Sequence, residues 1–523
     1  MEKANNDKKT LRQVTDPIVF FPAFCIIIGC CLVGLFAYDS FLHYLIAIYN
    51  WATETFGWTY SIITVFYLAV LVILFFNPVG KIRLGGEDAK PDLSTFTWFC
   101  ITLTSTIGIS LIMWGSVEPI LHFTNPPAFS GVKPLSEDAA TFALSTGYIH
   151  WSFNQYALYT FCALAIAIAH FNYNQPLSVA SGMYFATGGN KLWGKIADSL
   201  CLLVIVGGVA TSLGIGINQL AAGCFYSFGL QPTAMCKLII AVVVVITYSL
   251  TSVSGIKKGI SYVSQVNVWL FFGLLLFTYA VGPTNFINKL SIQALGEFLT
   301  TGIRRTLMLN PITKDPWIGN WTLNFYIANA AFAPLMGVFL AKLGKGRTVR
   351  QFIGVNLGVC SIFNIVWFDI FGGAAIYEQL YGLDLAKVMA EHGLESAAFA
   401  FFQKLPLGVL IVPLFTIAIF LSFVTMAESL TTSMAAISMN GGLSANEDEP
   451  NTALKLVWGG FVGIIAYYLL GLMGVDVIKY VYMVFGFPIF IILSITGYSL
   501  LKMTFFSEFK LKNAIKGMFC KEV

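Results

Sequence analysis

The run WTLNFYIANAAFAPLMGVFLA, residues 321–341, with Lys342, Lys345, Arg347 and Arg350 behind it, decides how the rest of the chain is read. About 20 apolar residues cross the hydrocarbon core of a bilayer as a helix, and this run is long enough. It nevertheless holds Asn324, Asn329, Pro334 and Gly337. Backbone freed by proline or uncovered by glycine finds no partner in lipid, so such a segment belongs against protein or beside a water-filled cavity. The two asparagines have two readings, glue between neighbouring helices or half of a binding site. A second interrupted run favours the site. Between Phe96 and His122 an apolar stretch contains Gly108, Ser110, Gly115, Ser116, Glu118 and Pro119, five spans earlier. Two broken segments at matching places in two halves point to the central site of a transporter.

Composition sets the class. Of 523 residues 57% are hydrophobic and 11% charged, a balance that the surface of a soluble domain does not tolerate. The chain reads as an all-α, polytopic membrane protein in contact with the lipid bilayer, and nucleic acid is not implied. Apolar runs predict twelve spans, near 18–38, 54–77, 95–122, 140–170, 197–228, 234–254, 259–283, 319–342, 350–374, 405–437, 453–475 and 479–503. With both termini cytoplasmic, about 21 of the 30 lysines and arginines fall on the inner side, as the positive-inside rule requires of a multi-pass protein of the cell membrane. The first run is too long for a secretory signal and lacks its cleavage site. The cysteines lie mostly in apolar spans without paired spacing and read as small hydrophobes.

This topology divides the chain into an amino-terminal tail with two peripheral spans (1–94), a first set of five (95–283), an outer amphipathic linker (284–318), a second set of five (319–505) and a cytoplasmic tail (506–523). An odd number of spans per set forces the two sets into opposite orientations, a five-plus-five inverted repeat. Phe286–Arg305 and Leu385–Lys404 mix charged and apolar residues at helical spacing, as helices lying on the outer surface do.

Candidate site residues come from the broken segments and the span between them. In the fourth span Trp151, Tyr156 and Tyr159 fall roughly on one side of a continuous helix. Packing is the ordinary role of such rings; the alternative is to hold a cation against their faces, worth roughly 0.5–2 kcal/mol each when desolvated. His150 reads as a structurally bonded histidine rather than a metal ligand or a proton relay, because no second histidine lies within reach along its own helix. Glu118 and Glu428 are intramembrane carboxylates, either structural or coupling groups. No nucleophile triad, metal cluster or ATP-binding element is present in the sequence, so the chain is not read as an enzyme or a primary pump, and it calls for no cofactor beyond a sodium ion.

Trp114-Gly-Ser-Val-Glu118-Pro119, His150-Trp151, Thr211-Ser-Leu-Gly214, Asn320-Trp-Thr-Leu323, Phe339-Leu-Ala341 and Gly346-Arg-Thr-Val-Arg350 resemble the betaine/choline/carnitine transporter family over nearly the whole chain. The resemblance implies twelve helices with the five-plus-five core, a homotrimer, and an aromatic box for trimethylammonium groups built from the fourth and eighth spans. The fourth-span members fall on Trp151, Tyr156 and Tyr159. The eighth-span members fall on Ala328, Asn329 and Phe332, where the family typically carries tryptophan or tyrosine. Two lost tryptophans remove about 1–4 kcal/mol of cation–π attraction, roughly ten- to a thousandfold in affinity. Asn329 offers an amide instead, which suits an amine, a carboxylate or a sulfonate. Trp114 and Ser110, at the third-span break, complete the expected substrate set.

Comparison with sodium-driven members places a sodium site at Thr425, with carbonyls near Thr104 and Ile107 and help from Thr211; a threonine bonding its own helix is the alternative. Exchangers of the family carry an arginine in the seventh span where this chain has Asn267, which favours sodium. The sequence therefore predicts a secondary active transporter for a small zwitterionic or organic-amine solute, of the betaine, carnitine or choline kind or an amino-acid-like relative such as taurine or creatine. A sodium-independent exchanger and a transport-deficient sensor remain open.

Overall fold

The computed structural model describes residues 10–107, 110–254, 259–444, 447, 449–472, 480–481 and 483–506. Gly108 of the third-span break, the amino-terminal Lys3, Lys8 and Lys9, Lys257 and Lys258, and Lys510, Lys512, Lys516 and Lys521 of the carboxy-terminal tail lie outside these residues. Among the described residues every named element is helical.

Each predicted span has its helix. Ten are single helices long and apolar enough to cross a membrane: Pro17–Phe36, Tyr38–Phe76, Glu137–Tyr173, Lys191–Phe228, Ala234–Ser252, Gly259–Val281, Pro316–Leu343, Val349–Tyr381, Gly408–Ser438 and Met483–Phe505. The third span is a pair, Thr95–Thr106 and Ser110–Thr124, whose axes diverge by 58°. Thr452–Leu472 supplies the eleventh. The second span is longer than expected, 39 residues beginning at Tyr38; its polar first half, with Asn50 and Glu54, gives a weak hydropathy signal although the helix is unbroken.

Local chemistry starts and bends these helices. Ser136 caps the fourth span, accepting from the Ala139 amide, with Glu137 and Asp138 in the first turn against the positive end of the helix dipole. Asn190 caps the fifth, and Thr348 with Gln351 forms a capping box at the ninth. The fourth span is interrupted at Ser152, whose φ of −114° and ψ of −119° leave helical space. The carbonyl exposed there, that of Trp151, accepts from Asn364 Nδ2 at 2.6 Å. π-helical turns occupy Gly319–Leu323 at the start of the eighth span and Gly354–Val359 and Phe368–Gly372 in the ninth.

Loops on one face pair with each other: Thr15 bridges Met439, Arg83 bridges Thr348, and Leu177 bridges Leu443. Asp16 also binds Lys195 at 2.7 Å. These joints tie the amino terminus to the loops after the second, fourth, eighth and tenth spans, the alternation that the twelve-span topology requires. Opposite them lie the outer helix Thr284–Thr306 and the short helices Leu385–His392 and Ser396–Lys404, matching the two outer amphipathic stretches.

The eighth span packs along the fourth, the third packs on the ninth, and the fifth and tenth pack on each other. Exchanging equivalent members of two five-span sets turns the first contact into the second and leaves the third unchanged, as the inverted repeat demands. Glycines allow the closest approach: a Cβ on Gly337 would lie 2.9 Å from Cys162 Cβ and 3.0 Å from the Ala163 amide nitrogen.

Candidate functional site: a cavity between two broken spans

A cavity of about 540 Å³ lies where the third, fourth, fifth, eighth and tenth spans meet. It opens toward Leu394 and Glu395, between the short helices opposite the basic face. Inward it ends where the eighth span at Gly337 presses on the fourth at Cys162 and Ala163.

Most of the expected substrate residues meet there. Ser110, Trp114, Trp151, Tyr159, Asn329 and Phe332 all line it, as do Thr211 and Ala328. Tyr156 does not. It is fully buried behind the wall, where its hydroxyl accepts from Thr106 Oγ1 at 3.2 Å. Tyr156 follows Trp151 by five residues, about 140° round a helix of 3.6 residues per turn, whereas Tyr159 is only about 80° round and keeps the cavity side.

Two rings outside the expected set belong to it. Trp321 and Phe325 line the cavity two turns and one turn before Asn329, at helical spacing that the sequence displays. Phe325 meets Trp151 edge to face with centroids 5.0 Å apart, and Trp114 stands at 90° to Trp321 at 6.1 Å. The aromatic surface thus survives, displaced one turn outward along the eighth span.

Trp151 is held from behind. Its Nε1 donates to Glu118 Oε2 at 2.6 Å, while Glu118 Oε1 lies 2.6 Å from His150 Nδ1. His150 Nε2 in turn lies 3.1 Å from Thr322 Oγ1 in the eighth span. Glu118 is therefore a positioning group that fixes the indole, which is its structural reading. The premise that His150 has no histidine near it holds along its own helix and fails in space, because His122 reaches the same carboxylate from the third span, 3.5 Å away.

At the polar end, Tyr159 donates to Asn329 Oδ1 at 3.1 Å. Asn329 Nδ2 is buried and makes no hydrogen bond, and neither do Gln155 Oε1 or Asn324 Oδ1. A buried polar atom left unpaired costs about 1–3 kcal/mol. All three belong to residues that line the cavity, one donor and two acceptors covered within a polar part of its wall, and turning the amides would present them to a ligand with both kinds of group.

Of the expected ion residues, Thr425 and Thr104 come together, outside the cavity. Thr425 donates to its own helix at Ser422 O, 3.0 Å, and stands 3.5 Å from the carbonyl of Thr104. With its amide turned to satisfy both ends, Asn267 accepts from Ser422 Oγ at 2.8 Å and donates to Ala418 O at 3.2 Å. Ile107 ends the described part of the first third-span helix. Thr211 bonds Gly207 O at 2.9 Å and faces the cavity instead. Glu428 is fully buried and does not line the cavity, although Met426 and Leu430 on either side of it do.

A family model described as "BCCT, betaine/carnitine/choline family transporter" matches residues 18–508. The chain is 30% identical to an ectoine/hydroxyectoine transporter of Virgibacillus pantothenticus, over 95% of this chain and 97% of that protein. It is 31% identical to the glycine betaine transporter OpuD of Bacillus subtilis, over 84% and 85%. The high-affinity choline transport protein of Escherichia coli is 27% identical, over 90% of this chain and 70% of its own length.

Proposed function

The chain belongs to the betaine/carnitine/choline transporter family, and from that premise we propose that it is a secondary active transporter of the cell membrane, carrying a small zwitterion or organic amine by alternating access. The observation that carries this reading is the cavity of about 540 Å³, whose one side is aromatic and whose other side offers unpaired amide groups.

The cationic end of the solute sits among Trp114, Trp151, Trp321 and Phe325, where ring faces attract positive charge. Its anionic end accepts from Asn329 Nδ2. Gln155 Oε1 and Asn324 Oδ1 have no use for a quaternary ammonium and bind a solute that brings N–H donors. Amines and cyclic amidines therefore fit better than fully methylated betaines, and the ectoine and glycine betaine of the relatives are the first pair to compare.

The cavity opens opposite the basic face, so with the basic face cytoplasmic this conformation faces outward. Closing Leu394 and Glu395 over the solute and parting the eighth span from the fourth at Gly337 would reverse access. Sodium is the proposed coupling ion. Thr425 Oγ1 and Thr104 O are hard oxygen donors on two spans, 3.5 Å apart, and one cation between them would tie the tenth span to the broken third. The seventh span contributes Asn267 at this joint and no arginine to replace the ion.

The test is a thermal-shift titration of the purified chain with ectoine, glycine betaine, choline and taurine, with sodium and with potassium. Stabilisation grows as RT ln(1 + [L]/Kd). The reading requires one of these solutes to stabilise the chain more in sodium, and fails if none does in either salt while counterflow into proteoliposomes is also absent.

A further inference from the structure

Behind the aromatic wall, Glu118, His122 and His150 each present one ligand atom, all within 4.8 Å of one another and all buried. We propose that these three side chains bind a divalent transition metal ion of the zinc class.

The donor set selects the ion. Two imidazoles and one carboxylate suit zinc, cobalt or nickel, whereas calcium and magnesium prefer an all-oxygen shell. The atoms are divided as a metal site needs them. Glu118 spends Oε2 on the Trp151 indole and turns Oε1 to both imidazoles, 2.6 Å from His150 Nδ1 and 3.5 Å from His122 Nε2. His122 Nε2 is buried and its contact is Glu118 Oε1 at 3.5 Å, so this nitrogen faces the cluster. His150 has its other nitrogen 3.1 Å from Thr322 Oγ1, the outer contact that fixes tautomer and ring direction in metal-binding histidines. A ligand pair held by an ion at about 2.0–2.2 Å lies somewhat over 3 Å apart, so Glu118 must spread from His150 while the two imidazoles, in a cluster now spanning up to 4.8 Å, close on each other.

A way in from the far side of the His150 ring is also present. A cavity of about 10 Å³ borders His150 and Thr322, about the room one water needs. It shares Phe142 and Arg305 with a larger recess of about 270 Å³ beneath the outer helix Thr284–Thr306. Arg305 opposes the ion. Its guanidinium acts electrostatically on His122 while bonded to Ser145 at 2.6 Å and to Thr146. The site is therefore weaker than a structural zinc site, and because Glu118 also holds Trp151, occupancy and solute binding affect each other reciprocally.

The experiment uses the full chain in detergent, stripped with a chelator and titrated with Co²⁺ followed by Zn²⁺. One Co²⁺ per chain should give the intense visible bands of four-coordinate cobalt, which Zn²⁺ abolishes on displacing it. His122→Gln should remove the bands. Thr322→Val, outside the ligand set, should weaken Zn²⁺ affinity roughly 10–100-fold, and Thr322→Ser should restore it. Absence of the bands in the wild-type chain, only the weak bands of six-coordinate cobalt, or bands unchanged in His122→Gln would overturn the assignment. Should His122→Gln not fold, the wild-type spectrum and the Thr322 pair decide.

Discussion

Trp151 and Tyr156 separate a wall residue from a residue behind the wall, though both read as box members in the sequence. Trp151→Ala should weaken binding of a cationic solute by about 0.5–2 kcal/mol, roughly two- to thirtyfold, measured by calorimetric titration. Tyr156→Phe should leave that affinity within about twofold and lower thermal stability, since it removes only a buried hydrogen bond worth about 1 kcal/mol. Asn329→Trp, restoring the ring usual in the family, should turn preference toward trimethylammonium solutes in competition binding, while an unchanged order of solutes would argue against Asn329 as a selector. Ser110, Trp114, Asn329 and Phe332 were readable because each sits at or near a break that the sequence marks with glycine or proline. Tyr156 was misplaced because grouping the three aromatics on one side overlooked that a spacing of five turns it about 140° away from Trp151. Trp321 and Phe325 were readable by helical spacing from Asn329, and His122 by its four-residue spacing from Glu118, a pairing that looks merely local until His150 is brought beside it.

Among the elements, the eighth span does most to shape the site, and it tolerates little change at Gly337. A methyl group there would press on Cys162 and Ala163, so Gly337→Ala should cost about 1–3 kcal/mol by overpacking, read as a lower melting temperature without ligand. Gly208 has a related role, since an added Cβ would lie 2.7 Å from the Phe332 ring; a larger residue there drives Phe332 into the cavity. The outer helix Thr284–Thr306 carries Ile292, Leu299 and Ile303 exposed at 74%, 72% and 66%, an apolar stripe of the sort that oligomers cover. If the trimer implied by the family is built on it, Leu299→Glu with Ile303→Glu should yield monomers in light scattering. Helix positions were legible from hydropathy alone, because runs of this length have one stable solution in lipid. The π-helical turns and the length of the second helix were not, since both depend on packing against neighbours and leave the hydropathy profile unchanged.

At the scale of the whole molecule, the reciprocal packing of the third span on the ninth and the eighth on the fourth makes the cavity a joint between two inverted halves. Its contents therefore bias the movement of one half against the other, and an ion between Thr425 and Thr104 would add to that bias from outside the cavity. Thr425→Ala should abolish any sodium-dependent stabilisation while leaving solute binding in potassium unchanged. The twelve-span order was legible because the apolar runs are long and separated by charged loops, whereas the solute's identity was not, since the amide directions on which the proposed selectivity rests come only from the folded chain. The most direct measurement of the central claim is calorimetric binding of the best-stabilising solute to the wild-type chain, to Trp151→Ala and to Asn329→Ala, each checked for folding by its melting curve. Both substitutions should weaken binding by at least severalfold, and unchanged affinity in the two folded variants would place the solute site elsewhere in the molecule.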